Sequence, residues 1–338
     1  MLPQLKHAFV PLALALFAAL GPFVLEPFCL VNLSAFSALA IAALGLALVW
    51  GTLGVLNLGH SAFYGLGAYA YAIAVFNLGD STLALLIGIA VPAAFSLMLG
   101  YFLFFSRLGD VYLGVITLCV TLICYSFMTS TADPSFRIGS VPLGGFNGIA
   151  AIPPLNMPGS SQTFLSVEAT FSICLLALAA VYILLSVVRA SDAGRIMAAI
   201  RESELRSELL GYDIRFYKLV GFALSAAIAG LGGVLYTAVM GFVSPNVFDL
   251  AQASQFLLWV IAGGLGTYVG PMIASFGFQL LSSQLGANQV FNTELIFGTT
   301  IILFVLLAPQ GLLPMILGMA DLKFPPRFGS LRRKEEPV

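Results

Sequence analysis

Residues 51–70 read GTLGVLNLGHSAFYGLGAYA. Five glycines, one asparagine and one histidine interrupt a chain that is otherwise close to hydrocarbon. Hydrophobic residues make up 60% of the 338 and charged residues only 9%, with a mean hydropathy of +1.02. A soluble domain carries about 25% charged residues. No core of this size could hide so much apolar surface from water, so the solvent is lipid. The fold class that follows is all-α, a polytopic transmembrane helical bundle. Inside such a bundle a Gly-rich break is tolerated only where protein or a water-lined cavity covers the freed backbone groups.

Two readings of the break stay open. Asn57 and His60 are costly against lipid, so they face the bundle interior or a helix end. They could be interhelical glue that caps a break before Ser61, or they could line a polar pathway. A metal role for His60 lacks a partner, because His7, the only other histidine, lies near the N-terminus.

Apolar runs of about 18–25 residues, long enough to span a bilayer, fall at 8–25, 30–50, 61–78, 82–105, 111–129, 167–188 and 219–241. A longer stretch at 254–283 and a last run at 291–308 follow. The first run could pass for a leader, but Gly21-Pro22 and a second long apolar stretch follow it, so a retained first helix is expected. With the N-terminus in the cytoplasm, Lys6, Arg107, the run from Arg189 to Lys218 and the tail from Lys323 to Lys334 all stay inside. Only Arg137 is then outside. Both termini are expected in the cytoplasm. Lys218 and the basic tail share one side, so 254–283 cannot count as a single simple crossing unless a short span near 311–320 is added. Its core, QFLLWVIAGGLGTYVGPMIASFGFQLL, reads as two short pieces joined at Gly263-Gly264 and Gly266. The expectation is about eight to ten spans with broken or re-entrant helices. The two Gly-interrupted places, 51–67 and 263–270, lie one in each half, a hint of related halves.

Two loops and one helix face stand out. The internal island at 189–218 reads RASDAGRIMAAIRESELRSELLGYDIRFYK. Ile196 with Ile200, and Leu205 with Leu209, repeat at helical spacing, which predicts a short amphipathic helix in the cytoplasm. Ser191 or Asp192 can start it, Gly211 can end it, and Asp213 can start the next. Glu202 and Arg206 would attract at i,i+4, whereas Glu204 and Glu208 would repel. A solvated loop needs no apolar stripes, so the helix lies on the membrane or docks on a partner, and docking is the preferred reading. Outside, 130–166 is a loop ordered by five prolines and carrying PLGGFNG at 142–148, able to cap a pathway or receive a partner. In SAAIAGLGGVLY (225–236), Ser225, Ala229 and Gly233, with Ala226 and Gly230, form a tight helix-packing face.

Several function classes lack their residues. The net charge of −1 offers no field for nucleic acid. Cys29, Cys119, Cys124 and Cys174 form no CxxC pair and read as small hydrophobes. No lysine precedes Ser or Thr, which excludes a P-loop, and neither HExxH nor GxSxG occurs. Mid-membrane carboxylates, which a proton-driven carrier uses, are nearly absent. The rival classes are a self-sufficient channel or secondary transporter, and an intramembrane enzyme that lacks a nucleophile–base set.

The combination resembles the permease subunits of the branched-chain amino-acid type of bacterial ABC importers, a family that also includes urea and amide permeases. The resemblance covers nearly the whole chain. It is carried by NLGHSAFYGLGAYA (57–70), GGFNG (144–148), the segment from AIRESELRSELLGYDIRFYK (199–218) through 236, LLWVIAGGLGTYVGP (257–271) and APQGLL (308–313). It is closest to the longer of the two paired permeases of such systems. What the resemblance implies is a single permease domain over 1–338 with a cytoplasmic tail at 309–338, in the bacterial inner membrane and in contact with lipid. Its partners would be a second, homologous permease, two cytoplasmic ATPases carrying ATP and Mg, and a periplasmic solute-binding protein. This chain would hold no cofactor, hydrolyse no ATP and bind no nucleic acid. Residues 195–212 would be the helix set into the ATPase, with Arg201, Glu202, Glu204, Glu208 and Gly211 as contact or shape residues, although the commoner Glu-Ala-Ala…Gly pattern is missing. Transport would be by alternating access. Asn57, His60, Thr117, Thr121, Asn147 and Gln255 are the pathway candidates, few of them charged, which suits a neutral or zwitterionic solute. Leucine, isoleucine and valine are the default; urea, short amides and aromatic acids stay open.

Overall fold

A computed structural model describes residues 2–106, 109–288 and 298–299. The expected span at 291–308 (apart from residues 298–299), APQGLL and the tail at 309–338 lie outside the described residues. Within them, six helices are long and apolar enough to cross a membrane. The chain begins with α1 (Leu2–Val24) and α2 (Pro27–Leu48), which has proline in its first turn, where no intrahelical donor is needed. Its second half, from Ala38 to Leu48, is buried on every side, as a helix apolar all round must be. The helix continues as a π turn, Val49–Leu53, so this crossing outruns the expected 30–50 at both ends.

The chain then passes to α3 (His60–Leu78), α4 (Ser81–Phe105) and α5 (Asp110–Ser130). After the segment at 130–166 come α6 (Val167–Ala190), two short helices α7 (Asp192–Glu202) and α8 (Glu204–Leu209), and α9 (Ile214–Met240). A 3-10 turn at Pro245–Phe248 leads to α10 (Leu250–Gly263) and α11 (Val269–Asn288). The stretch at 254–283 is therefore two helices. Gly264 at φ 103° and Gly266 at φ 86° occupy the region that side chains avoid, and they make the turn between them.

At the centre stands α9, packed against α2, α3 and α4. Lipid offers no hydrophobic drive for helix association, so close backbone contact and interhelical hydrogen bonds must supply it. The 225–236 face does both. Ser225 Oγ donates to the Gly45 carbonyl at 2.8 Å, and Gly230 lies so near Gly67 that a Cβ on Gly67 would be 2.5 Å from its Cα. Around this centre, α6 packs on α1 and α2, and α11 on α10 and α2. By contrast α5 leaves Val111, Tyr112, Val115, Ile123 and Phe127 exposed.

The segment at 130–166 holds two small hairpins. Strands β1 (Arg137–Ile138) and β2 (Val141–Pro142) pair, as do β3 (Asn156–Met157) and β4 (Ser160–Phe164). Ile149 pairs with Val243 beyond α9 through bonds of 2.8 and 3.0 Å, over buried Val141, Leu143, Ile152 and Leu155. Two asparagines fasten this layer to the α3–α4 corner. Asn77 Nδ2 donates to the Ile138 carbonyl at 3.1 Å while its Oδ1 accepts from Ser140 N at 2.9 Å. Asn156 Oδ1 accepts from Ser81 N at 2.9 Å, and its side-chain amide donates to the Gly79 carbonyl. At the loop's start, the Ser135 backbone N–H donates to Asp133 and holds that exposed carboxyl below the usual carboxylate range.

Candidate translocation and coupling site

The interruption within 51–70 narrows to residues 54–59, a non-helical segment between the π turn and α3. His60 Nε2 lies 2.8 Å from the Ala42 carbonyl, so α3 begins level with the middle of α2. From Ala42 to Leu53, α2 and its π turn descend roughly 16 Å at about 1.5 Å per residue. Gly54, at φ 82°, turns the chain, and the non-helical segment to Gly59 returns it to the level of His60. Such backbone has to be covered by protein, and it is. Asn57 Oδ1 accepts from Gly59 N at 3.1 Å, and Gly59 packs directly on the Thr117 carbonyl of α5. Thr117 and Thr121 use their own hydroxyls on the α5 backbone, donating to Gly114 and Thr117 carbonyls at 2.8 and 3.2 Å.

These contacts show the packing role of Asn57 and His60, yet polar capacity is left over. Asn57 Nδ2, His60 Nδ1 and Ser61 Oγ are buried and have no hydrogen-bond partner among the described residues. One aromatic ring of α10 faces His60: Phe256 lies 5.8 Å edge-on from the His60 ring and 5.3 Å from Tyr64. Asn57→Leu leaves the Gly59 N–H buried without its acceptor, a loss of about 1–3 kcal/mol. His60→Leu removes only an extra contact from a carbonyl that keeps its helical bond. Thermal unfolding of the purified variants is therefore expected to rank Asn57→Leu as the more damaging.

The second break meets the first. Thr52 Oγ1 and Tyr268 Oη are 3.0 Å apart, and a Cβ on Gly51 would come 3.0 Å from Gly266 N. The two Gly-interrupted places that the sequence puts one in each half thus touch at the C-terminal end of α2.

Below them lies the loop at 189–218. Ser191 starts α7 by accepting from Gly194 N, and Asp213 starts α9 by accepting from Phe216 N, both at 3.3 Å. Gly211 ends α8 at φ 88°. One expectation needs correction: the amphipathic helix is two helices. Ser203 is extended, at φ −163°, and its hydroxyl accepts from Arg206 N to start α8. Glu202 and Arg206 therefore sit on different helices and are not a helical i,i+4 pair. The two apolar stripes also part company. Ile200 and Met197 are buried against the membrane helices, whereas Leu205, Leu209 and Leu210 are 68%, 79% and 74% exposed.

Of the five coupling candidates, Glu202 and Glu208 are exposed, and Gly211 shapes the turn. Arg201 donates to the Gly51 carbonyl of its own chain, and Glu204 pairs with the largely buried Lys218 at 2.5 Å. A cleft of about 410 Å³ opens beside them, lined by Phe105, Leu113, Glu204, Glu208, Tyr212 and Lys218 among others.

The sequence profile of the family described as branched-chain amino acid transport system / permease component matches residues 30–306. The chain belongs to this family. It is 32% identical over 308 residues to the high-affinity branched-chain amino acid transport system permease protein LivM of Escherichia coli K12, covering 84% of this chain and 69% of the relative. It is 25% identical over 292 residues to LivH of the same organism, covering 82% and 91%. No solved structure matches the chain significantly.

In this permease the pathway candidates do not form one cluster. Asn57, His60, Thr117 and Thr121 lie together in the interior. Gln255 is half-buried on α10, one residue from the Phe256 that faces His60. Asn147 stands apart, exposed on the 3-10 turn at Gly145–Asn147. The sequence reading passed over Ser61, Tyr268, Asn77 and Asn156. Tyr268 sat inside a quoted motif, and its neighbours Gly266 and Thr267 marked the turn. Asn77 and Asn156 carried no such signal, since polar residues near span ends are ordinary.

Proposed function

We propose that this permease is one of two membrane subunits of an ATP-driven importer that moves branched-chain or related neutral amino acids across the bacterial inner membrane by alternating access. The observation that carries the reading is the cytoplasmic loop. Its α7 is seated on the π turn that ends α2, while α8 presents Leu205, Leu209 and Leu210 to water. A self-sufficient channel gains nothing from such a patch, whereas an ATPase groove would cover it. Among the described residues no carboxylate is buried, which supports an outside source of energy.

Two cytoplasmic ATPases would bind ATP and Mg and do the hydrolysis. A second permease is supported by a single organism's having both LivM and LivH among the relatives. A periplasmic binding protein would deliver solute to the external layer, where Phe146 and Asn147 are exposed, and would set much of the selectivity. The distribution of basic residues supports a cytoplasmic location for both termini.

The test is a mild-detergent pull-down of the tagged chain from native membranes, with mass spectrometry of the proteins recovered. Two nucleotide-binding subunits and a second permease are expected. ATP-driven uptake by that complex in liposomes, comparing leucine with urea and acetamide, identifies the solute class. Recovery of the chain alone, moving solute without ATP, would overturn the reading.

A further inference from the structure

Both broken segments are gripped from the cytoplasmic side by arginines at the ends of α6 and α7. Arg201, in the last turn of α7, donates from Nη1 to the Gly51 carbonyl. Its aliphatic stem covers Gly54, where a Cβ would come 2.9 Å from Arg201 Cγ. Gly51 lies in the π turn that closes α2, among the last carbonyls of a helix, which have no donor within it. A guanidinium there meets a free carbonyl and the negative end of the helix dipole together.

Arg189, in the last turn of α6, does the same for the other break. Its Nη1 donates to the Gly266 carbonyl at 2.8 Å, and its guanidinium lies 5.8 Å from the centre of the Tyr268 ring. Tyr268 joins the two arms through Thr52, one residue beyond Gly51. A continuous chain of polar contacts thus runs from α7 through the end of α2 to the 264–268 turn and back to α6. Charge-assisted hydrogen bonds are short and directional, so they carry a displacement where apolar packing would slide.

We propose that Arg201 and Arg189 are the positioning residues that transmit movement of the cytoplasmic loop to the two broken segments, Arg201 through Gly51 and Arg189 through Gly266. The proposal rests on the importer reading, because it presumes an ATPase moving the loop. A shift of α7 carries the π turn with it, and the Thr52–Tyr268 bond passes the shift to the second break. Neither arginine needs to touch the ATPase or the solute.

The test uses the complete complex in liposomes, with ATP hydrolysis and solute uptake measured on the same preparation. Arg201→Gln and Arg189→Gln are each expected to assemble and hydrolyse ATP while solute moved per ATP falls about tenfold, within the usual span of coupling effects. Arg201→Lys, which keeps the cation, should recover much of the loss. The double variant should be little worse than the poorer single, because the two act in one chain. Ratios within about twofold of wild type for both Gln variants would overturn the proposal.

A second measurement needs no variant. In the wild-type complex, amide hydrogen exchange on adding ATP should change at 192–209 and also at 49–59 and 264–270. A change confined to 192–209 would overturn the proposal while leaving the importer reading intact. Uptake that never depends on ATP would instead remove the importer reading itself.

Discussion

Gly67→Leu is expected to leave no folded permease. At this position α3 crosses α9, and a Cβ on Gly67 would lie 2.5 Å from both the Cα and the carbonyl oxygen of Gly230. The neighbours cannot yield, because they are backbone. Gly230 is itself wedged against Pro92 of α4, and a Cβ there would lie 2.8 Å from the Gly88 carbonyl. Three helices would have to part to admit one side chain, and α9 would lose its close fit to both α3 and α4. A single overpacked residue in a core that can adjust costs about 1–3 kcal/mol. Here the helices associate by that close fit, so the loss reaches the whole assembly. Size-exclusion of the detergent-extracted chain should show aggregate in place of a single sharp peak. Gly277→Leu is the control. It is an exposed glycine on α11, with nothing within 4 Å of an added Cβ, and its melting midpoint should stay within about 2 °C of wild type. A sharp peak for Gly67→Leu would mean that the crossing is looser than described.

The second large effect should leave the fold untouched. Leu205→Glu combined with Leu209→Glu alters side chains that are 68% and 79% exposed, so the isolated chain should purify and melt normally. In the importer reading these leucines enter an apolar groove on an ATPase. Anchors of that kind are worth about 2 kcal/mol or more each when removed, and a buried unpaired carboxylate adds to the loss. Together they predict at least about 1,000-fold weaker ATPase association, read as loss of ATPase co-purification and of uptake. Normal co-purification and uptake would place the ATPase contact elsewhere and remove the assignment of α8.

Neither substitution could be ranked from the sequence, because Gly67 and Gly277 are the same residue in equally apolar helices. What separates them is the neighbour on another helix. The same holds for the two halves of the loop at 189–218. Ile200 and Leu205 read alike as helical stripes, but the extended Ser203 turns one toward the membrane helices and the other toward water. The hydroxyl that makes the turn was visible, yet Ser is common in such loops, and nothing local marked this one as a cap.

By itself the sequence determined the all-α membrane class, the approximate positions of the apolar helices among the described residues, the break at Gly263–Gly264–Gly266, a helix start at Ser191 or Asp192 and the caps at Gly211 and Asp213. These are local matters. Transfer to lipid is summed over a short window, a positive φ selects glycine, and a cap bonds an amide two or three residues away. Only the tertiary structure decided that Gly51 and Gly266 meet, that Arg201 turns inward to a carbonyl 150 residues back, and that Asn147 faces outward while Asn57 is buried. Those outcomes depend on which helices lie side by side. In lipid, adjacency is set by the fit of small residues across many contacts and not by the polarity of any one stretch.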